Sequence, residues 1–159
     1  MDREALLERL KEPFDLLVLG GGAAFLLLPF TGRLVDRRGY QAALVLGLFL
    51  LALVMARLGT GPHPYELPAA ALLGGLGFSL FLPGWNGLLA KNLPQENRAA
   101  IWGSLMTVEG LGLALGPVAG GLLWEAFGLP APFLAGSGIF LALSLFYLLL
   151  FRVRKLWRR

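Results

Sequence analysis

Cysteine is absent from the sequence, histidine occurs once, and charged residues are scarce. Without a thiol, the chain forms no disulfide, builds no cysteine zinc site and performs no thiol catalysis. The single histidine, His63, stands between Pro62 and Pro64 with no second metal ligand beside it, so we expect no metal site. Charged residues make up 15% of the 159 residues, whereas about 25% is usual in soluble domains. This shortage of charge argues against a soluble protein.

Long apolar runs take the place of the missing charges. Hydrophobic residues make up 57% of the sequence, and the mean hydropathy is +0.69. A helix of about 20 residues crosses the roughly 30 Å hydrocarbon core of a bilayer, because each residue adds about 1.5 Å. The sequence therefore predicts an all-α polytopic transmembrane helix bundle of five spans, surrounded by a lipid bilayer. The predicted spans are 14–31, 40–57, 68–89, 99–123 and 132–151.

Basic residues are distributed unequally between the two sides of these spans. Most of them lie between spans one and two, between spans three and four, and after span five. Because Lys and Arg concentrate in cytoplasmic loops, we expect a multi-pass protein of the plasma (inner) membrane with its C-terminus in the cytoplasm and its N-terminus outside. The same distribution accounts for the net charge of +4, so we do not expect nucleic acid as a partner.

Three segments follow from this topology. We expect residues 1–13 to form an extracytoplasmic amphipathic lead-in, 14–151 to form the five-span transmembrane domain, and 152–159 to form a basic cytoplasmic tail. The lead-in begins with acidic residues and has no basic n-region, so we do not expect a signal peptide.

The segment from Gly32 to Gln41, between spans one and two, reads G-R-L-V-D-R-R-G-Y-Q. Glycine near both ends allows a tight turn, and Asp36 can accept hydrogen bonds from arginines or from a helix N-terminus. The segment resembles the cytoplasmic signature loop of the major facilitator superfamily, usually written G-x-L-x-D-R-x-G-R-R. The matching residues are Gly32, Leu34, Asp36, Arg37 and Gly39.

This resemblance implies a cytoplasmic latch, which we define as Gly32, Asp36, Arg37 and Gly39. Tyr40 and Gln41 depart from the family pattern, because they stand where the family often carries a basic pair. The positive-inside rule alone explains Arg33 and Arg38 equally well.

Span four carries a regular pattern of glycines around one proline. Small residues four apart form a flat stripe that another helix can approach closely, and the proline removes one helix hydrogen bond and bends the helix. The pattern is similar to the glycine–proline signature that proton-coupled antiporters of the superfamily carry in their fifth helix, with looser versions in the eleventh. A simple helix-packing stripe is the alternative interpretation. The residues of the pattern are Gly103, Gly112, Gly116, Pro117, Gly120 and Gly121.

The resemblance implies a fold of twelve helices in two pseudo-repeated halves, of which five spans represent most of one half. The signature loop after the first span aligns the chain with helices two to six or with helices eight to twelve. An uncharged span three and the basic end of the chain favour the C-terminal half. The complete glycine–proline pattern favours the other half.

Glu109 is the only ionisable residue well inside a predicted span. A charged carboxylate at that depth is costly unless it is protonated, paired or facing water, so such residues are functional candidates. Glu109 could carry a coupling proton or contact the substrate, or its neutral form could hydrogen-bond a neighbouring helix. Asn86 follows a predicted interruption of span three at Pro83 and Gly84, and we expect it to line a cavity or to bond another helix.

No span combines a nucleophile with a base, so we expect no catalytic residue, no cofactor and no enzyme activity. In the superfamily that the chain resembles, solutes move by alternating access between two halves. We therefore expect a membrane transporter of a small solute, with proton-coupled efflux as one form. As a single chain it would be incomplete and would pair with a second copy or with the missing half. The alternative is a non-transporting structural or accessory membrane protein, or an inactive transporter fragment.

Overall fold

The fold consists of five long helices in a computed structural model that describes residues 13–94 and 96–156. A short 3₁₀ turn, Pro64–Glu66, precedes the third of them. All five helices are long and apolar enough to cross a membrane, which confirms the predicted number of spans and the all-α class. The helices are α1 (Pro13–Arg38), α2 (Tyr40–Gly59), α3 (Leu67–Asn92), α4 (Arg98–Phe127) and α5 (Pro130–Leu156).

The helices run further than the uncharged stretches that predicted them. α5 reaches Leu156, so the first part of the predicted basic tail is helical, because charged side chains at a span end can extend into the headgroup region while the backbone stays helical. Residues 157–159 and the first twelve residues of the predicted lead-in lie outside the described residues.

The turn between α1 and α2 is shorter than the sequence predicts. Gly32 lies inside α1, and the helical backbone is broken only at Gly39. Gly39 has a φ of 92°, which a side chain would disfavour, and its N–H donates to the Val35 carbonyl at 2.8 Å. The expectation of a loop framed by two glycines is therefore wrong, because a single residue of positive φ is enough to reverse the chain.

α3 is continuous through Pro83, so the predicted interruption of span three is also wrong. A proline has no N–H, and Pro83 therefore leaves the carbonyl four residues before it, that of Ser79, without its helical donor. The Thr31 hydroxyl of α1 donates to this carbonyl at 2.6 Å in a buried position. The hydroxyl replaces the missing donor, and α3 crosses the proline without breaking.

α3 lies at the centre of the bundle and packs on both α1 and α2, while α2 also packs on α5. Glycines let these helices approach at backbone distance. A Cβ atom on Gly84 would lie 2.7 Å from the Leu44 amide nitrogen, and one on Gly47 would lie 2.6 Å from that of Phe81. Leu44 and Leu48 are almost completely buried at this α2–α3 contact.

Two hydroxyls fix the α2–α5 contact. Ser137 donates to the Ala52 carbonyl at 2.9 Å, and Ser144 donates to the Val45 carbonyl at 3.0 Å. Donors and acceptors are both spaced by two helical turns and run in opposite directions, so the two helices are antiparallel. Such interhelical bonds contribute about 0.6 kcal/mol each in a bilayer.

α4 differs from the other helices because none of its residues is buried. Its substantial contacts within the described residues are with α5 alone, to which it is joined through Gly128, a residue with a φ of 86°. α1, α2, α3 and α5 thus form a packed group, and α4 stands beside it.

Candidate functional site

Residues of the cytoplasmic latch lie together at the end of α1. Gly32 and Asp36 are one helical turn apart, Arg37 follows, and Gly39 forms the break before α2. The side chains of Asp36 and Arg37 are exposed, and neither makes an ion pair or a hydrogen bond within the described part of the chain. The latch residues therefore share one end of the bundle, and their charged groups have no partner among the described side chains.

Tyr40, one of the two residues that depart from the family pattern, contacts α3 and α5 at this end of the bundle. It is buried, and its ring lies edge-on to Phe151 of α5 with 5.9 Å between the centroids. The Lys91 ammonium of α3 lies 5.8 Å from the centroid of the Tyr40 ring. Gly87 makes room for Tyr40, because a Cβ at Gly87 would lie 2.7 Å from the Cβ of Tyr40.

The sequence did not single out these contacts of Tyr40. The only signal was the position of Tyr40 itself, where a basic residue is usual. Its partners come from α3 and α5, far away in the sequence, so no local pattern identifies them.

The glycines of the α4 pattern face open space. A Cβ atom added at any of them would meet no atom of another helix within 4 Å among the described residues. At about 100° per residue, the pattern divides into two faces roughly 120° apart. One face carries Gly112, Gly116 and Gly120, and the other carries Gly103 and Gly121.

Glu109 lies on the first of these faces. It precedes Gly112 by three residues and Gly116 by seven, so the carboxylate stands at one end of the row of small residues. It is exposed and has no hydrogen bond or ion pair within the described residues. The sequence thus identifies a carboxylate that the helices present in the structure do not pair.

Pro117 leaves a backbone acceptor free on α4. As at Pro83, the carbonyl four residues earlier, that of Leu113, has no helical donor. Within the described residues no side chain donates to it, whereas Thr31 serves the equivalent carbonyl of α3. α4 therefore combines small residues, a carboxylate and a carbonyl without a donor on a helix whose substantial contacts among the described residues are with α5 alone.

Asn86 lies on α3, apart from Glu109, because α3 and α4 do not pack substantially on each other. Its side chain is exposed and makes no hydrogen bond within the described residues. The neighbouring Trp85 packs against the buried core and stacks on Phe81, with 6.5 Å between the centroids. The two predicted proton or substrate candidates are therefore not brought together by this chain.

The opposite end of the bundle has an ion pair that the sequence did not identify. Arg57, in the last turn of α2, pairs with Glu66 before α3 and also donates to the Thr60 hydroxyl at 2.8 Å. Both charged side chains are nearly half exposed, so the pair contributes at most about 1 kcal/mol. Arg57 ends predicted span two and Glu66 lies just before span three, but their spacing alone did not indicate a pair.

An apolar cavity of about 690 Å³ lies between α1, α2 and α3, on the side toward the N-terminal end of α1. Its wall is almost entirely apolar and contains none of the predicted site residues. Such a wall suits hydrocarbon and offers no group to orient a polar solute. Its lining includes Leu17, Ala24, Phe25, Met55, Phe78 and Phe133.

These features define a polytopic helical membrane protein with a one-residue glycine turn between α1 and α2 and a glycine–proline helix, α4, that has few contacts with the other described helices. The family model of the Major Facilitator Superfamily matches residues 15–158. The chain therefore belongs to the major facilitator superfamily.

Two curated relatives illustrate the match. The chain is similar to the proton-coupled antiporter flippase LtaA of Staphylococcus epidermidis, with 31% identity over 136 residues, which are 82% of this chain and 34% of the relative. It is also similar to the multidrug resistance protein MdtG of Salmonella arizonae, with 37% identity over 119 residues, 74% of this chain and 29% of the relative. The chain thus spans about a third of the length of these relatives.

Proposed function

We propose that this chain supplies five helices of one half of a transporter that moves a small solute across the plasma membrane by alternating access. The observation that carries the proposal is the uncovered state of α4. A spanning helix gains little from exposing glycines and an unserved carbonyl to lipid, since lipid tails donate no hydrogen bond. When another helix packs against α4, the glycines allow close approach of the two backbones, and a side chain of that helix can donate to the carbonyl.

The two glycine faces of α4 are suited to two neighbouring helices. α5 contacts α4, and we propose that the remaining surface of α4 is covered by the part of the transporter that this chain lacks. We propose that the covering helices come from the missing half or from a second copy of the chain, and that one of them offers a hydroxyl to the Leu113 carbonyl, as Thr31 does on α3.

Proton coupling is proposed for Glu109. The carboxylate stands in line with the small residues, so a covering helix would remove it from lipid or water and change the cost of its charge. One relative is named a proton-coupled antiporter flippase, and another is named a multidrug resistance protein. Both names agree with proton-driven efflux, the form of transport that we propose here.

The exposed latch fits the same proposal. Asp36 and Arg37 have exposed charged groups without a partner among the described side chains, at the end of the bundle where Lys91 and Arg98 also lie, which is the cytoplasmic side by the positive-inside rule. We propose that the latch contacts the opposing half when the cytoplasmic side is closed, with the C-terminus inside and the N-terminus outside. Assignment to the C-terminal half remains a prediction.

A flux measurement tests the function. The purified chain is reconstituted into vesicles with and without an imposed pH gradient, and efflux of a panel of drugs, sugars and organic anions is followed while the particle mass is measured. Proton-dependent flux from a dimer-sized particle supports pairing of two copies. If the chain alone is inactive, we expect flux when it is produced together with the rest of a full-length transporter, and its absence there would favour the non-transporting alternative.

In the active assembly, Glu109→Gln is expected to abolish the response to the pH gradient, because an amide cannot exchange the proton. Binding of the solute should persist. Glu125→Gln is the matched control, since Glu125 is an exposed acid near the end of the same helix. Unchanged pH dependence in Glu109→Gln would overturn the coupling role.

A further inference from the structure

The ends of four helices meet at Tyr40, and we call this meeting point the junction. The tyrosine begins α2, touches Gly87 and Lys91 of α3 and Phe151 of α5, and lies near Val35 of α1, whose side chain also borders Gly87. Phe151 in turn stacks on Tyr147, with 5.9 Å between the ring centroids. In the described part of the chain, the Tyr40 ring of α2 thus contacts both the Lys91 ammonium of α3 and the Phe151 ring of α5.

A tyrosine at this position changes the electrostatics of the junction. Where a basic residue is usual, this chain offers an aromatic ring with a negative face, and the cation comes from Lys91 on another helix. An ammonium within about 6 Å of a ring centroid is attracted to that face. A positive charge is therefore present at the junction, but it is carried by Lys91 on α3 and not by the residue that follows Gly39.

We propose that Tyr40 and Lys91 form an aromatic–cation clamp that fixes the turn at Gly39 to α3, with Phe151 holding the other edge of the ring. Tyr40 and Lys91 are positioning residues: they determine whether the latch on α1 is held against the bundle or released from it. The clamp is independent of the proposed transport function, because it acts within the contacts of this chain.

Absence of cysteine permits a clean test. Val35 is buried at the junction, so Val35→Cys introduces a single thiol that is protected while the clamp holds. The rate of maleimide labelling of the full chain in lipid nanodiscs then follows the open population when opening and closing are fast. Lys91→Met keeps the length of the side chain and removes the charge, and it should raise the labelling rate about two- to fivefold.

Substitutions that keep, remove or reverse the charge of Lys91 distinguish its attraction to the Tyr40 ring from apolar packing. Lys91→Arg and Tyr40→Phe should label within about twofold of the parent, because each keeps the cation or the ring. Lys91→Glu should label faster than Lys91→Met, since an anion is repelled by the ring face. Tyr40→Leu, which removes the ring, should give the largest increase.

Tyr65→Leu is the matched control, because Tyr65 is exposed at the opposite end of the bundle. It should leave the labelling rate unchanged. Equal rates in the parent, Lys91→Met and Lys91→Glu would overturn the proposal, and Tyr40 would then be held by apolar packing alone. The readout needs no substrate, so this result and a failure of transport are distinguishable.

Discussion

At the scale of single residues, the pairing of Thr31 with the Ser79 carbonyl explains how a proline is tolerated inside a packed spanning helix. The hydrocarbon core of a bilayer contains no water to donate hydrogen bonds, so a backbone carbonyl that has lost its helical donor needs another donor from the protein. The sequence shows Pro83 but not the replacement donor, because Thr31 is 48 residues away from Ser79 and on another helix. The predicted interruption of α3 was wrong for this reason.

A double-mutant cycle tests this pairing. Thr31→Val should lower the free energy of unfolding by about 1 kcal/mol, because the Ser79 carbonyl becomes buried and unpaired. In a Pro83→Ala background the same change should cost much less, since an alanine at that position supplies the helical N–H. Reversible unfolding in mixed micelles measures all four proteins.

Thr107→Val is the control for that cycle, because the Thr107 hydroxyl bonds only to the Gly103 carbonyl of its own exposed helix. It should change stability by less than about 0.5 kcal/mol. An equal cost of Thr31→Val with and without Pro83 would contradict the pairing.

At the scale of helices, charge distribution predicted the number of spans well and their ends less well. Uncharged runs separated by arginines or prolines are unambiguous, whereas the last turns of α1 and α5 are helical although they carry charge. The contacts between helices could not be predicted from the sequence. Gly84 and Gly116 both lie next to a proline inside an apolar helix, but their surroundings in the structure differ. Gly84 meets a neighbouring backbone, and Gly116 meets nothing within the described residues.

That contrast gives a prediction for α4. Gly116→Leu should leave the stability of the isolated chain within about 0.5 kcal/mol, because the added side chain enters open space, and it should prevent α4 from joining a covering helix. Co-purification with the covering partner and flux of the assembly would both be lost. The covering partner is the second copy or the missing half.

Gly22→Leu is the matched substitution, since Gly22 of α1 is also exposed and has no atom of another described helix within 4 Å of an added Cβ. It should leave assembly and flux intact. Normal assembly of Gly116→Leu would mean that this face of α4 stays in lipid.

At the scale of the whole molecule, the helices differ in how extensively they pack against one another. α3 has neighbours on two sides and α4 has almost none, so opening of the backbone should be much easier in α4. The family match was foreseeable from two motifs, whereas the division into a packed group and a solitary helix was visible only in three dimensions.

Hydrogen exchange of the purified chain in detergent measures that division. Protection factors in α4 should be at least about tenfold lower than those in the centre of α3, because opening α4 breaks far fewer contacts with other helices. Adding the covering partner should slow exchange in α4 and leave α3 unchanged. Equal protection of the two helices in the chain alone would mean that α4 is already covered.

The one-residue turn at Gly39 has a mechanical consequence. α1 contains 26 residues, with Pro29 inside the helix, and is about 39 Å long, and Gly39 alone stands between it and α2. Because Gly39 is the one residue between the two helices, a tilt of α1 changes the orientation of α2 at Tyr40 through the torsion angles of Gly39 and any bend at Pro29. We therefore expect movements of α1 and α2 to be coupled more tightly than a longer loop would allow.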